Sequence, residues 1–436
     1  MQGVTDQKRE NDASPSAKQR DLERIGIDPR RVAIHRLGWP KRLLWRGYPP
    51  WVRPMIAGVA LWVAIAVVRA YGVALPPIVE SLMDLIVGLL ILESACEALV
   101  TATERFAARQ LWDHYVAGTL AEILSTLPEL VVIAYVIPVS PIAAMVIALV
   151  TIYNNAFVFS VYSYFLPKDQ RGRFLMPAAI TEAGTQILIA GAGLGSVIGL
   201  VMLVLSAGEH DKQAFSAIDL GTLAAIMLAV FGVYLYMLIK GYASEEQAVR
   251  QALKLDAGQL EERIEHVYQE VKRTSMGNIL WLFVVGIGAA ILGGQSVSDF
   301  AETAIVDLNL NPIATAIVLA AFAGMSEYVI LWRAHRKGQH RIALANAFGG
   351  ITQVMFLVLP FTLLAIGIYQ GPLGLVHPEL PLTFSVSNVL LFALLFPTFF
   401  VLTELIEEDH TLSALDTAIM TAIFLLIILI LVSYGS

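Results

Sequence analysis

Leu124-Ser125-Thr126-Leu127-Pro128-Glu129-Leu130 and Ala323-Gly324-Met325-Ser326-Glu327-Tyr328 each place one carboxylate near the middle of a long apolar run, with no basic residue close by. A charged side chain at bilayer depth costs roughly 2.5–3.5 kcal/mol on insertion scales, so each glutamate marks a functional site by default. The surrounding chain confirms that the depth is that of a bilayer. Of 436 residues, 57% are hydrophobic and 15% charged, with a mean hydropathy of +0.69. Soluble domains carry about 25% charged residues, so the composition is that of an all-α, polytopic membrane protein.

Working outward from the two glutamates, apolar stretches long enough to span fall at roughly 54–73, 82–103, 115–137, 141–166, 175–205, 219–240, 278–295, 311–333, 342–368, 382–404 and 414–434, eleven in all. The fifth is long and Gly-rich, and a tilt or break is expected around Gly191-Ala192-Gly193. With the N-terminus inside, 27 of the 29 basic residues fall on inner segments and only Arg69 and Lys212 fall outside. This positive-inside bias sets the orientation and puts the C-terminus outside. The expected localisation is a plasma (inner) membrane.

Residues 1–50 form a basic cytoplasmic tail in which Arg30-Arg31, Lys41-Arg42 and Arg46 interleave with Trp39, Trp45 and Trp51. That pattern suits an anchor on an anionic leaflet, so membrane lipid is one expected partner. Residues 51–75 hold an extra span. Residues 80–240 and 278–436 read as two five-span repeats, joined by a charged cytoplasmic linker at 241–277. Ser244-Glu245-Glu246-Gln247 has the form of a capping box opening a linker helix. The single cysteine, Cys96, excludes an intrachain disulfide and a Cys-based metal cluster.

A shift of 198 residues superposes the halves. Glu104 falls on Glu302, Glu129 on Glu327 and Asn155 on Gln353, with 26 residues from glutamate to amide in each half. Apolar positions follow, Leu120 on Val318 and Val131 on Val329 among them. By the charge bias the two Glu-bearing spans run in opposite directions. The repeats are therefore inverted, which places a substrate site at the midplane between them.

The chemistry at that site is a hard-cation chemistry. Pro128 removes a backbone hydrogen bond and frees a carbonyl near that of Leu124. Ser125 and Thr126 precede Glu129 by four and three residues, on its helix face. Carboxylate, hydroxyls and loosened carbonyls make an oxygen cage, to which Asn155 and Gln353 add amide oxygens. Glu129 and Glu327 together balance one divalent cation. Two protons or two monovalent cations can replace it, so no net charge stays buried in low dielectric. The plainer role for each glutamate is to cap a kinked helix, but repeat-related placement beside proline and amides argues against it. Glu93 and Glu97, one turn apart, Glu122 on roughly the face of Glu129, and Glu182 beside Thr181 and Thr185 are candidates for a proton or ion pathway or for structural bonds. Glu104 and Glu302, at span ends, suit a structural role. His335 and His340 lie in a basic inner segment and read as solvated. No His-Glu-x-x-His motif and no nucleophile–base set is present, so an enzyme is not expected. Nor is a nucleic-acid partner.

These residues resemble the calcium/cation antiporter superfamily, the sodium/calcium exchanger membrane region. Ser125-Thr126-Leu127-Pro128-Glu129-Leu130 is similar to the first repeat of the sodium/calcium exchanger branch, Gly-Thr-Ser-Leu-Pro-Glu-Leu. Gly349-Gly350-Ile351-Thr352-Gln353 followed by Pro360 is similar to the Gly-Ser-Ala-Thr-Gln…Pro pattern of the cation/proton exchanger branch. The resemblance covers roughly 80–436. It implies that Glu129 and Glu327 coordinate the cation, with Ser125 and Thr126 as first-repeat ligands and Asn155 and Gln353 facing them. It implies calcium (or similar cation)/proton exchange by alternating access, with cations and protons as partners and no cofactor beyond the transported cation. A sodium-coupled exchanger of the same fold, and a non-transporting sensor or scaffold that kept it, are the alternatives. Ala323 and Gly324 stand where the family has Thr-Ser or Gly-Asn, and Tyr328 stands where the proton-exchanger branch has His.

Overall fold

The computed structural model describes residues 51–72, 75–109, 123–124, 126–176, 180–207, 214–252, 276–310, 312–336, 340–370, 382–383 and 386–434. The N-terminal tail, most of the linker, Glu122, Ser125 and Lys212 lie outside the described residues, as do the side chains of Glu104 and Glu182.

The helices are α1 (Val52–Ala70), α2 (Pro77–Arg109), α3 (Leu127–Val136), α4 (Pro141–Tyr162), α5 (Thr185–Ala207), α6 (Ala217–Ala252) and α7 (Met276–Glu302). They continue with α8 (Pro312–Ala323), α9 (Met325–Arg336), α10 (His340–Gln353), α11 (Leu359–Gln370), α12 (Val386–Ala393), α13 (Leu395–Glu407) and α14 (Ala414–Tyr434). Eight described helical segments are long and apolar enough to cross a membrane, and Leu127–Val136 and Ala414–Ile430 are shorter apolar helices. The pairs α8–α9 and α12–α13 are each one predicted span interrupted by a single turn residue, Gly324 and Leu394. Large apolar side chains such as Val197, Leu200, Val204, Leu280 and Trp281 face outward, which is the surface that lipid covers. The chain is an integral membrane protein.

Two short strand pairs fix the direction of the repeats. β1 (Phe174–Leu175), between α4 and α5, pairs antiparallel with β4 (Thr411–Leu412), between α13 and α14. β2 (Ala214–Phe215), between α5 and α6, pairs with β3 (Leu382–Thr383), between α11 and α12. Helix α5 thus leads from the first strand pair to the second, and α12–α13 leads back. The equivalent spans of the two halves run antiparallel, as inverted repeats require. Reciprocal caps repeat the pattern. Ser216 and Asp219 open α6, with Ser216 N–H donating to Asp219 Oδ2 at 3.0 Å and Asp219 N–H to Ser216 Oγ at 3.3 Å. Ser413 and Asp416 open α14 in the same way, at 2.8 and 3.3 Å. Each box satisfies helix N–H groups that would otherwise be orphaned. At the β1–β4 end Arg173 pairs with Asp409. There the Thr411 hydroxyl and N–H, with Arg173, hold the Asp409 carboxyl below the ordinary carboxylate range.

Helices α2 and α7 cross on the pseudo-two-fold axis through glycines. A Cβ on Gly88 would meet Val297 Cγ2 at 2.5 Å and the Gly293 carbonyl at 2.9 Å. One on Gly286 would meet Leu99 Cγ at 2.6 Å and the Ala95 carbonyl at 3.3 Å. The 198-residue shift carries Gly88 to Gly286, Ala95 to Gly293 and Leu99 to Val297, so these two contacts are symmetry mates. Small residues let helices in lipid approach closely, where packing replaces the hydrophobic effect. Gly88→Val should lower stability by about 1–3 kcal/mol through overpacking. Gly286→Val should cost less, because a leucine side chain yields more readily than a carbonyl. Thermal unfolding of the two variants in detergent checks this order.

Three expectations are corrected. Helix α5 continues unbroken through Gly191-Ala192-Gly193. The glycines there make room for neighbours: Gly191 for Met355 and Phe356, Gly195 for Leu395, and Gly199 for Phe392 and the Ala393 backbone. The interruption lies just before α5, in a π-turn at Ile180–Gly184. Ser244 does not start a helix, because α6 runs through it from the membrane span to Ala252. Gly241, three residues before Ser244, is a lone glycine that a helix tolerates, and propagating an existing helix is easier than nucleating a new one. His335 and His340 are half-buried rather than solvated, their rings 5.0 Å apart, with the His335 ring also packed against Tyr162 and Trp332.

Candidate cation site between two broken helices

The same local event builds both halves of the site. Thr126 is a turn residue ahead of α3, and its hydroxyl and N–H both turn back to the Ile123 carbonyl, at 2.8 and 3.3 Å. Pro128 falls in the first turn of α3, where its missing N–H is harmless. Leu130 N–H then bonds the Thr126 carbonyl at 3.2 Å. In the second half the turn residue is Gly324, and Glu327 N–H and Tyr328 N–H bond its carbonyl at 3.1 and 3.2 Å. Thr126 and Gly324 are 198 residues apart, and each break is followed at the third residue by the glutamate. Glu129 and Glu327 therefore sit in the first turn of a half-helix, where the positive end of the helix dipole favours a carboxylate. Discontinuous helices of this kind are tolerated at membrane depth where they line a site.

Glu129 is 1% exposed and Glu327 6%. The two carboxylates act on each other through space. Neither oxygen of Glu129 has a hydrogen-bond partner among the described residues, and neither polar atom of the buried Asn155 amide has one. An unsatisfied buried polar group costs roughly 1–3 kcal/mol, more for a charged one, so these orphaned groups are ones that a bound ion or ordered water would satisfy. The second half is closed by glycine. A Cβ on Gly350 of α10 would overlap Glu327 Oε2 and stand 2.8 Å from Cδ and 2.9 Å from Oε1. Gln353, 6% exposed, follows three residues later, on the same face of α10.

Helix α4 faces the second break. Asn154 Nδ2 donates to the Tyr328 hydroxyl. A Cβ on Gly324 would lie 2.7 Å from Tyr328 Oη and 3.2 Å from Asn155 Oδ1. Glu129, Glu327, Asn155, Asn154 and Tyr328 thus gather around the two breaks, with two carboxylates as the charged members.

Comparison with known proteins fits this architecture. Residues 278–433 match the family model described as sodium/calcium exchanger protein. A solved structure titled as the H+/Ca2+ exchanger CAX shares 14% identity, with a TM-score of 0.59 over 87% of this chain and 88% of that one. The Ca2+/H+ antiporter protein YfkE shares 13% identity, with a TM-score of 0.55 over 86% of this chain and 99% of that one. At such identities the likeness is one of fold. No curated protein matches the chain.

Other sequence candidates divide. Glu93 and Glu97 lie part-buried on α2, on either side of the buried Cys96. Cys96 is within electrostatic reach of both, and of Glu129 and Glu327 as well, so these acids stand near the pair. Glu302 is exposed at the end of α7, which fits a structural role. Thr126 is fully buried, but its hydroxyl hydrogen is committed to the Ile123 carbonyl, which leaves its oxygen lone pairs to serve as a ligand. Sequence reasoning missed Asn154, Gly350 and the Gly324 break. The signals were an amide adjoining Asn155, and glycines placed three and twenty-three residues from Glu327.

The break in α12–α13 shows how this fold satisfies freed backbone without a ligand. Pro397 leaves the Ala393 carbonyl without its helical donor. Ser196 Oγ donates to that carbonyl at 3.2 Å and accepts from Phe396 N–H at 2.9 Å, while Tyr153 donates to the Leu391 carbonyl at 2.6 Å. Backbone groups here are bonded by side chains of neighbouring helices, whereas Glu129 and Asn155 are not.

Proposed function

We propose that this chain is a secondary active antiporter that exchanges a calcium-like divalent cation for protons at the Glu129–Glu327 pair. The observation that carries the reading is the orphaned set: both oxygens of Glu129 and the whole amide of Asn155, buried opposite a second carboxylate. Two carboxylates and neutral oxygens match a hard divalent cation. Leaving the pair empty and doubly charged is prohibitive in low dielectric, so the cation's departure is coupled to arrival of compensating positive charge. Glu129 and Glu327 carry either the cation or the protons. Asn155 supplies an amide oxygen to the cation and an amide hydrogen to a free carboxylate. Inverted repeats give two access states related by symmetry, so one site can open to either side in turn.

Protons are the favoured counter-ion because the second repeat lacks side-chain oxygens at Ala323 and Gly324. Several simultaneous sodium sites are difficult to furnish from what remains. The fold likeness to a structure titled as an H+/Ca2+ exchanger supports the same choice. Sodium coupling is the second reading, favoured by Ser125-Thr126-Leu127-Pro128-Glu129. The exposed Arg171 and Arg173 at the β1–β4 end support that end as cytoplasmic, with the N-terminus inside and the C-terminus outside, in a plasma (inner) membrane.

Purified protein in vesicles loaded with calcium tracer tests the proposal. A pH gradient alone is expected to drive calcium flux, and a sodium gradient alone is not. Sodium-driven flux would establish the second reading, and absence of flux with any cation would overturn both.

A further inference from the structure

The two halves of the site are unequal in where they carry a hydroxyl. In the first half Thr126 holds it at the break, and Leu130, one turn on, is apolar. In the second half the break residue is Gly324, and the residue one turn on, equivalent to Leu130, is Tyr328. Tyr328 Oη lies 2.7 Å from the point where a Gly324 Cβ would stand. Its hydroxyl therefore fills the space that a side chain at 324 would take. The hydroxyl has moved one helical turn along the sequence while staying at the break.

We propose that the Tyr328 hydroxyl is the second-repeat ligand that sets cation preference at this site. The assignment rests on the antiporter reading above and deepens it. Three observations carry it. Asn154 on α4 donates to Tyr328 Oη and fixes the phenol. That bond uses one lone pair and leaves the other lone pair and the O–H hydrogen. The orphaned Asn155 Oδ1 stands 3.2 Å from the same Gly324 point. Tyr328 also lies within electrostatic reach of both Glu327 and Glu129. A neutral phenol oxygen beside a neutral amide oxygen completes the oxygen set that the two carboxylates begin. A phenol on a rigid ring, braced by a neighbouring helix, adapts less to ion radius than a free serine or threonine hydroxyl. Site rigidity of this kind discriminates among hard cations.

The test uses the full-length protein in vesicles, with calcium tracer flux read against magnesium, manganese and sodium as competitors, and equilibrium calcium binding measured alongside. Tyr328→Phe keeps the ring and removes the oxygen. It is expected to raise the half-saturating calcium concentration about tenfold, a modest share of the affinity range, and to alter the order of the competitors. Gly324→Ser alone drives its hydroxyl into Tyr328 and is expected to lose most flux. Gly324→Ser combined with Tyr328→Leu recreates the first-half arrangement and is expected to recover flux. A merely structural tyrosine would leave the competitor order unchanged in any variant that folds. The proposal is overturned if Tyr328→Phe gives the wild-type saturation curve and competitor order, or if Gly324→Ser is as active alone as in the double variant. Absence of calcium flux and calcium binding in the wild type would overturn the antiporter reading itself, a result distinct from either of these.

Discussion

Glu129→Gln is expected to abolish cation exchange in reconstituted vesicles while the cation-free protein stays at least as stable as wild type. The expectation follows from what Glu129 lacks. Both its oxygens are buried and have no donor among the described residues, so the empty site holds either a charge without hydrogen bonds or a proton awaiting exchange. Glutamine keeps the shape and removes that burden. Under the proposed exchange it also removes half the charge available to a divalent cation. At about 4 Å and an effective dielectric near 20, each unit charge contributes about 4 kcal/mol, a factor of about 10³ in affinity for every charge pair. Flux should fall below detection. Thermal unfolding supplies the second measurement. Saturating cation stabilises a protein that binds it only when folded by about 2.7 kcal/mol at 100 times Kd, and that shift should vanish in the variant. If Glu129 only caps the helix break, Glu129→Gln should instead preserve flux.

Much of this arrangement was legible in the sequence because a carboxylate in an apolar run is its own signal. Glu129, Glu327 and the amides 26 residues beyond them survive any uncertainty in span boundaries. The charge bias then supplied the inversion that the strand pairs β1–β4 and β2–β3 display in three dimensions. The glycine crossing of α2 and α7 obeys the same register but stayed hidden. The chain has 32 glycines, and nothing local separates Gly88 and Gly286 from the rest until their neighbours are placed. The caps Phe215-Ser216-Ala217-Ile218-Asp219 and Leu412-Ser413-Ala414-Leu415-Asp416 are nearly identical, yet they are offset by 197 residues rather than 198. One residue lost between Gln353 and Leu412 is enough to defeat a fixed shift. The break at Gly324 was not legible for a physical reason. A lone glycine within a helix costs only about 1 kcal/mol and is usually tolerated. Its effect here depends on the Tyr328 hydroxyl and Asn155, which sequence spacing does not bring together.

Gly350 is the position where a single methyl group should do nearly as much damage as removing a carboxylate. A Cβ there would overlap Glu327 Oε2 and sit within 2.9 Å of Oε1 and Cδ, closer than real side-chain contacts allow. Gly350 lies inside α10, where alanine is the better helix former by about 1 kcal/mol, so the backbone welcomes Gly350→Ala. The strain therefore falls on the Glu327 carboxylate, which must swing away from α10. Reacting or binding groups tolerate little displacement, and a shift of about 1 Å can cost 10²-fold. Gly350→Ala is expected to lower calcium flux about 10²-fold with an unchanged or raised unfolding temperature. That pairing of outcomes is diagnostic: an ordinary packing defect lowers stability and flux together, whereas a displaced ligand lowers flux alone. The corresponding change in the first half, Ile152→Ala at the position equivalent to Gly350, removes a buried side chain and should do the reverse, lowering stability by about 2–5 kcal/mol as core truncations do with no direct effect on Glu129. If Gly350→Ala transports at the wild-type rate, Glu327 is not held against α10 when the cation binds, and the ligand geometry assigned to the second repeat is wrong.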